Sequence, residues 1–237
     1  MSADRPRSAR DARRRARSQN FLASSAVAAQ LVRDANVGRC DLVVEIGAGS
    51  GVLTSELARR ARSVRAIEVD PAWAARLRER FALHRNVEVV EDDALRTPLP
   101  GEPFRVVANI PFGATSALMR RLLDDPRTPL TRADLLLQWE VARKRAGRPR
   151  TAMSASWSPW WSFRLGRRVP RTAFRPRPAV DAGVLVVERR RTPLLPVEAQ
   201  VAFTEFTRAL FTGTLARELD APEWAALFAA YAGVRKG

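Results

Sequence analysis

The chain of 237 residues holds one cysteine, Cys40, and one histidine, His84. A disulfide framework and a Cys/His zinc site are therefore both excluded, and no metal is expected. A Ser-His-Asp triad would rest on His84 alone, and its neighbours Leu83 and Arg85 mark an exposed helix end instead. No apolar run approaches the roughly 20 residues of a membrane-spanning helix, so no membrane partner is expected. The first 19 residues, MSADRPRSARDARRRARSQ, lack the apolar core of a secretory signal, and a cytoplasmic location is expected. Lysine is also scarce: only Lys144 and Lys236 contribute to the 41 basic side chains.

What is abundant is arginine, and with 25 acidic residues the formal charge is +16. The guanidinium fork pairs two-pronged with phosphate, which favours a polyanionic partner. At 46% hydrophobic and 28% charged, the composition is that of a folded protein. The excess charge is unevenly placed. Residues 1–19 carry +5, residues 20–140 sum to zero, residues 141–191 carry +12, and the rest carry −1. A neutral body with two basic blocks reads as a binding footprint for nucleic acid. The expected organisation is a basic, flexible arm over 1–19, a main domain over 20–191 and a small helical domain over 192–237.

Hydrophobic periodicity predicts alternating strands and helices. Five strands are expected at 42–46, 64–69, 87–90, 104–108 and 134–139, with helices between them. Asp70-Pro71 has the form of an N-cap followed by proline at the first helical position. Two more strands are expected at 160–165 and 183–188, and helices follow Pro196. The predicted fold is α/β: a mostly parallel, seven-stranded, Rossmann-like sheet with a small C-terminal helical domain. Ligands of such sheets bind beyond the carboxyl ends of the strands.

The first strand runs into Gly47-Ala48-Gly49-Ser50-Gly51, but Val52 stands where a dinucleotide-binding loop has its third glycine. A pyrophosphate site is thereby disfavoured. Glu68 ends the next strand, where a carboxylate accepts hydrogen bonds from two ribose hydroxyls, and Asp93 follows the third, placed to receive an adenine amino group. Nucleoside binding without phosphate contacts points to S-adenosylmethionine and a class I methyltransferase.

Directly after the fourth strand stands Asn109-Ile110-Pro111-Phe112. It resembles the N-[IL]-P-[YF] motif of the rRNA adenine N6-methyltransferases, which include the Erm macrolide-resistance enzymes and the KsgA-type small-subunit dimethyltransferases. Ser18-Gln19-Asn20-Phe21-Leu22 resembles the family's Q-N-F-L motif, Glu45 to Gly51 its cofactor loop, and Phe174 to Asp181 its F-x-P-x-P-x-V motif. The resemblance implies that Gln19, Asn20, Leu22, Gly47, Gly49, Glu68, Asp93 and Asn109 form the cofactor site. Isoleucine with phenylalanine in the tetrapeptide, an Arg-rich start and a short segment after Thr192 resemble the Erm side, which implies 23S rRNA as partner and resistance to macrolides, lincosamides and streptogramin B.

The chemistry needs these residue types. The N6 lone pair of adenine is delocalised into the ring until acceptors hold both N–H groups in pyramidal geometry. The Asn109 side-chain oxygen and the Ile110 carbonyl suit that role, with Pro111 fixing the backbone. Phe112 can stack on a base withdrawn from its helix, and the resemblance implies that Phe174 closes the other face. Arg143, Lys144 and Arg145 are expected at the RNA, as is Arg120, for which a solvated helix face is the alternative. Trp157, Trp160 and Trp161 are expected in the core, with RNA stacking as the alternative. A 16S rRNA dimethyltransferase and a non-catalytic RNA-binding or ribosome-assembly factor on this fold remain alternatives, and a monomer is expected.

Overall fold

A short strand β1 (Phe21–Leu22) and helix α1 (Ser25–Asp34) begin the computed structural model, which describes residues 20–211 and 215–234. The expected N-terminal arm lies outside the described residues. Ser24 caps α1 by accepting the Val27 N–H at 3.2 Å. There follow β2 (Leu42–Ile46), α2 (Val52–Ala58), β3 (Ser63–Glu68), α3 (Pro71–Arg80), β4 (Val87–Glu91) and β5 (Phe104–Asn109). Asp70 caps α3 through the Ala72 and Trp73 N–H groups, with Pro71 first in the helix as expected. After a 3-10 turn at Phe112–Ala114 come α4 (Thr115–Leu123), β6 (Leu130–Gln138), α5 (Trp139–Arg145), α6 (Ala152–Trp157) and β7 (Trp161–Val169). The chain continues through β8 (Phe174–Arg175), β9 (Ala182–Arg189), α7 (Gln200–Leu210) and α8 (Ala221–Val234).

Seven strands form one sheet in the order β4-β3-β2-β5-β6-β9-β7. Only β9 runs against its neighbours, so the sheet is mostly parallel, as expected. Reversal of strand order beside β2 opens a crevice at the carboxyl ends of β2 and β5, the place where ligands of such sheets bind.

The central strands alternate their side chains between two cores. Val106, Ala108, Leu135, Leu137, Leu185 and Val187 face a cluster with α4, α6, α7 and α8. Val43, Val107, Leu136, Val184 and Val186 face α1 and α2. The helices after Thr192 share the first of these cores with the sheet: Trp160 meets Phe203 edge-on at 6.1 Å, and Phe203 meets Phe228 at 5.3 Å.

Strand β6 differs from its expected span at both ends, and β7 runs four residues past its expected end, to Val169. Strand β6 starts at Leu130, four residues before the predicted Asp134, because Arg132 and Asp134 break the apolar run while pairing within it at 2.7 Å. Arg132 also bonds Glu188 of the neighbouring strand, at 2.9 Å. Trp139 begins α5 and does not end β6, its N–H bonded to the Asp181 carbonyl at 3.0 Å.

Candidate active site

The turn after β2 holds Gly47, Gly49 and Gly51 at φ of 74°, 51° and 74°, where side chains are rarely accommodated. At Gly49 an added Cβ would stand 2.5 Å from Cδ1 of Phe21, so glycine is required on two grounds. Glu68, 3% exposed at the end of β3, accepts the Gly49 N–H on Oε2 at 2.8 Å and the Asp70 N–H on Oε1 at 2.9 Å. The carboxylate thus binds the turn to the adjoining strand end. It faces a cavity of about 70 Å³ whose walls include Gly47, Asn109, Ile110, Phe174 and Pro178.

Asn109 closes β5 at this cavity. Its Nδ2 donates to the Asn20 carbonyl at 2.8 Å, which orients the carboxamide and leaves Oδ1 as an acceptor. Ile110 is buried, and its N–H donates to the Leu136 carbonyl at 3.2 Å. The Pro111 carbonyl is occupied by the Ala114 N–H at 2.9 Å. Asn20 reaches Asn109 because β1 and β8 form an antiparallel ribbon, pairing Phe21 with Arg175 and Leu22 with Phe174. Three motifs far apart in the chain thereby share one wall.

The other expected cofactor residues are placed differently. Leu22 is buried in the core with Val43 and Leu31 and does not line the cavity. Gly49 lies beneath the Phe21 ring. Asp93 also lies outside the cavity lining, in the turn after β4, where it accepts the Leu95 N–H at 3.0 Å. Gln19 and the side chain of Phe112 lie outside the described residues. His84 is exposed, its ring edge-on to Phe81, and has no place in the site.

Glu45 entered the sequence reading only as the first residue of the cofactor loop. It is 2% exposed in β2, and its Oε2 has no hydrogen-bond partner. Burial pushes its carboxyl up to about 8; the nearby Glu68 charge adds to the rise, and Thr54 opposes it. A proton on Glu45 spares the site a second negative charge beside Glu68. The available signal was one carboxylate inside the run Leu42-Val43-Val44-Glu45-Ile46. Phe21 and Trp73 also went unassigned; their rings meet over the turn at 4.8 Å.

The basic block divides into exposed and internal groups. Lys144 and Arg120 are exposed, and Arg143 is exposed and paired with Glu140 at 2.8 Å. Arg145 is half-buried: Nη2 donates to Ser116 Oγ at 3.1 Å, while buried Nη1 has no hydrogen-bond partner, and desolvation lowers the guanidinium pKa. Arg189 donates to the carbonyls of Leu130, Pro126 and Thr128 and covers the Trp161 ring at 4.5 Å, and Arg190 donates to Ser158. Part of the charge therefore braces the fold. Trp157, Trp160 and Trp161 are buried, with indole N–H groups bonded to Asp124, Leu195 and Leu123. Core packing prevails over stacking on RNA, as expected.

Comparison with known proteins agrees with this geometry. Residues 10–220 match the family described as "Ribosomal RNA adenine dimethylase". The chain is 45% identical over 195 residues to an rRNA adenine N-6-methyltransferase of Corynebacterium diphtheriae, covering 82% of this chain and 76% of that protein. It is 42% identical over 197 residues to the mycinamicin-resistance protein MyrB of Micromonospora griseorubida, covering 82% of this chain and 62% of MyrB. The crystal structure of the 23S rRNA methyltransferase ErmE superposes with a TM-score of 0.74 at 36% identity, covering 82% of this chain and 80% of ErmE.

Proposed function

This chain belongs to the ribosomal RNA adenine dimethylase family, and on that premise we propose that it transfers methyl from S-adenosylmethionine to N6 of one adenine in 23S rRNA, conferring resistance to macrolides, lincosamides and streptogramin B. One observation carries the reading. The Asn109 carboxamide is oriented by Asn20 so that its oxygen is an acceptor, in the cavity that Gly47, Glu68 and Phe174 wall.

The residues present fit the cofactor. Gly47 and Gly49 bring bare backbone to the strand end, and the Glu68 carboxylate lies within the cavity wall, each oxygen keeping a lone pair beyond its backbone bond. Glu68 would hold the ribose hydroxyls, with Asp93 and Asn20 completing the site. When bound, the cofactor supplies an electrophilic methyl group on a sulfonium sulfur.

The chain's own contribution is orientation. Asn109 Oδ1 and the Ile110 carbonyl accept the two N6–H bonds, turning the nitrogen lone pair out of conjugation with the ring. The Ile110 N–H bond to Leu136 anchors the chain just after β5. Phe174 closes one face of the base, and the surplus proton passes to water after transfer, so no histidine is needed. Arg120, Arg143, Lys144 and Arg145 contact the RNA backbone, and the protein acts as a monomer in the cytoplasm.

The test incubates the purified protein with labelled cofactor and protein-free rRNA. Label on one adenine of 23S rRNA is expected, and Asn109→Ala is expected to lower the rate by at least about 10²-fold with an unchanged melting temperature. Label confined to 16S rRNA would replace the 23S assignment with the small-subunit activity.

A further inference from the structure

The F-x-P-x-P-x-V segment has two sides. Pro178 and Ala182 wall the small cavity with Asn109, whereas Ala179, Val180 and Asp181 wall a second recess of about 510 Å³. Gln138, Trp139, Glu140, Arg168 and Arg171 complete that recess. The two recesses thus share one segment of chain, 178–182.

The recess has a built floor. The Trp139 ring lies so close over Gly183 that an added Cβ would come within 2.7 Å of Cε3. The Arg168 guanidinium carbon stands 5.2 Å from the centre of that ring, and Arg168 Nε donates to Asp181 Oδ2 at 3.0 Å. Asp181 Oδ1 accepts the Arg171 N–H at 2.9 Å, and Arg171 Nη1 donates to the Ala179 carbonyl at 3.2 Å. Arg168 is thus held from beneath by a ring and from the side by a carboxylate, while its side chain stays 60% exposed. An exposed ion pair of this kind adds little to stability. What the arrangement supplies is a flat, largely exposed cation, and the plane of a guanidinium is a stacking partner for a nucleobase. Val180, 47% exposed, adds an apolar flank, and Glu140 at the wall pairs with Arg143 at 2.8 Å.

We propose that Trp139, Arg168 and Asp181 form a platform on which the base of a nucleotide adjoining the target adenine stacks, the RNA chain crossing the ridge at 178–182 between the two recesses. The inference rests on the RNA substrate proposed above. It makes Arg168 a stacking residue, not a phosphate contact, and Trp139 and Asp181 positioning residues.

The experiment uses synthetic stem-loops bearing the target adenine in unpaired sequence, each with one abasic residue at a neighbouring position. For the full-length protein, one neighbouring position is expected to raise KM for RNA about tenfold when abasic, with kcat at saturating RNA unchanged. Arg168→Lys, which keeps the charge and loses the plane, and Trp139→Leu are expected to raise KM for the intact RNA by the same factor. Neither variant should lose anything further on the abasic RNA, nor change the cofactor affinity. Full discrimination retained in both variants, or full affinity restored by lysine, would overturn the platform. Methyl transfer by the wild-type protein to the intact stem-loop separates these outcomes from failure of the proposed activity; absence of transfer to every RNA overturns both.

Discussion

Replacing Glu45 by glutamine should remove a pH dependence from the stability of this protein. In the fold its carboxyl titrates near 8, against 4.5 in the unfolded chain, so between those values the native state binds a proton that the unfolded state has released. The sign follows from linkage. Where the native state holds more protons, raising the pH destabilises it, by about 1.4 kcal/mol per pH unit for one group. From pH 5.5 to 7.5 the wild-type protein should therefore lose about 2 to 3 kcal/mol that Glu45→Gln does not lose, a large share of a typical domain's stability. Comparing the two proteins across pH cancels both the titration of every other group and any fixed cost of burying the amide. Urea denaturation followed by circular dichroism at pH 5.5, 6.5 and 7.5 measures the difference, with equal slopes as the check that the unfolded states match. Parallel curves for the two proteins would refute the reasoning, because Glu45 would then be ionised in the fold. Glu68→Gln should move the wild-type midpoint of this effect downward, since the Glu68 charge contributes to the raised value.

Other substitutions separate site from scaffold. Glu68→Ala should weaken cofactor binding measured by calorimetry, and unchanged affinity would remove the ribose role. Gly49→Ala forces a side chain into a backbone of φ 51° and into the Phe21 ring; it should cost at least about 1 kcal/mol and suppress cofactor binding together, read by thermal melting and calorimetry. Arg189→Lys should lower stability by about 1 to 3 kcal/mol, since one ammonium cannot satisfy the carbonyls of Leu130, Pro126 and Thr128, while leaving the salt dependence of RNA binding intact. Lys144→Ala should do the reverse, flattening the slope of log affinity against log salt by about one with no change in melting temperature.

The sheet was legible because its strands carry one-sided or wholly apolar runs. Strand β2 spans Leu42–Ile46 as predicted, and β3 differs from its predicted span by one residue at each end. The runs lose their clarity where polar groups are satisfied inside the fold. Arg132 and Asp134 concealed the first four residues of β6, and three carbonyl acceptors drew Arg189 away from the binding surface. The two-residue strands β1 and β8 show no periodicity at all, since each exists only by pairing with the other.

The positions of the strands along the chain, the glycine turn, Glu68 and the Asn109-Ile110-Pro111 motif are local properties, set by side-chain periodicity and backbone sterics over a few residues, and the sequence by itself determined them. The tertiary structure alone decided that Asn20 orients Asn109, that Leu22 is buried in the core, that Glu45 sits in a dry site with a raised pKa, and which arginines face solvent. Each of those depends on dielectric surroundings or on hydrogen-bond partners brought together from distant segments, and neither is encoded in the spacing of residues along the chain.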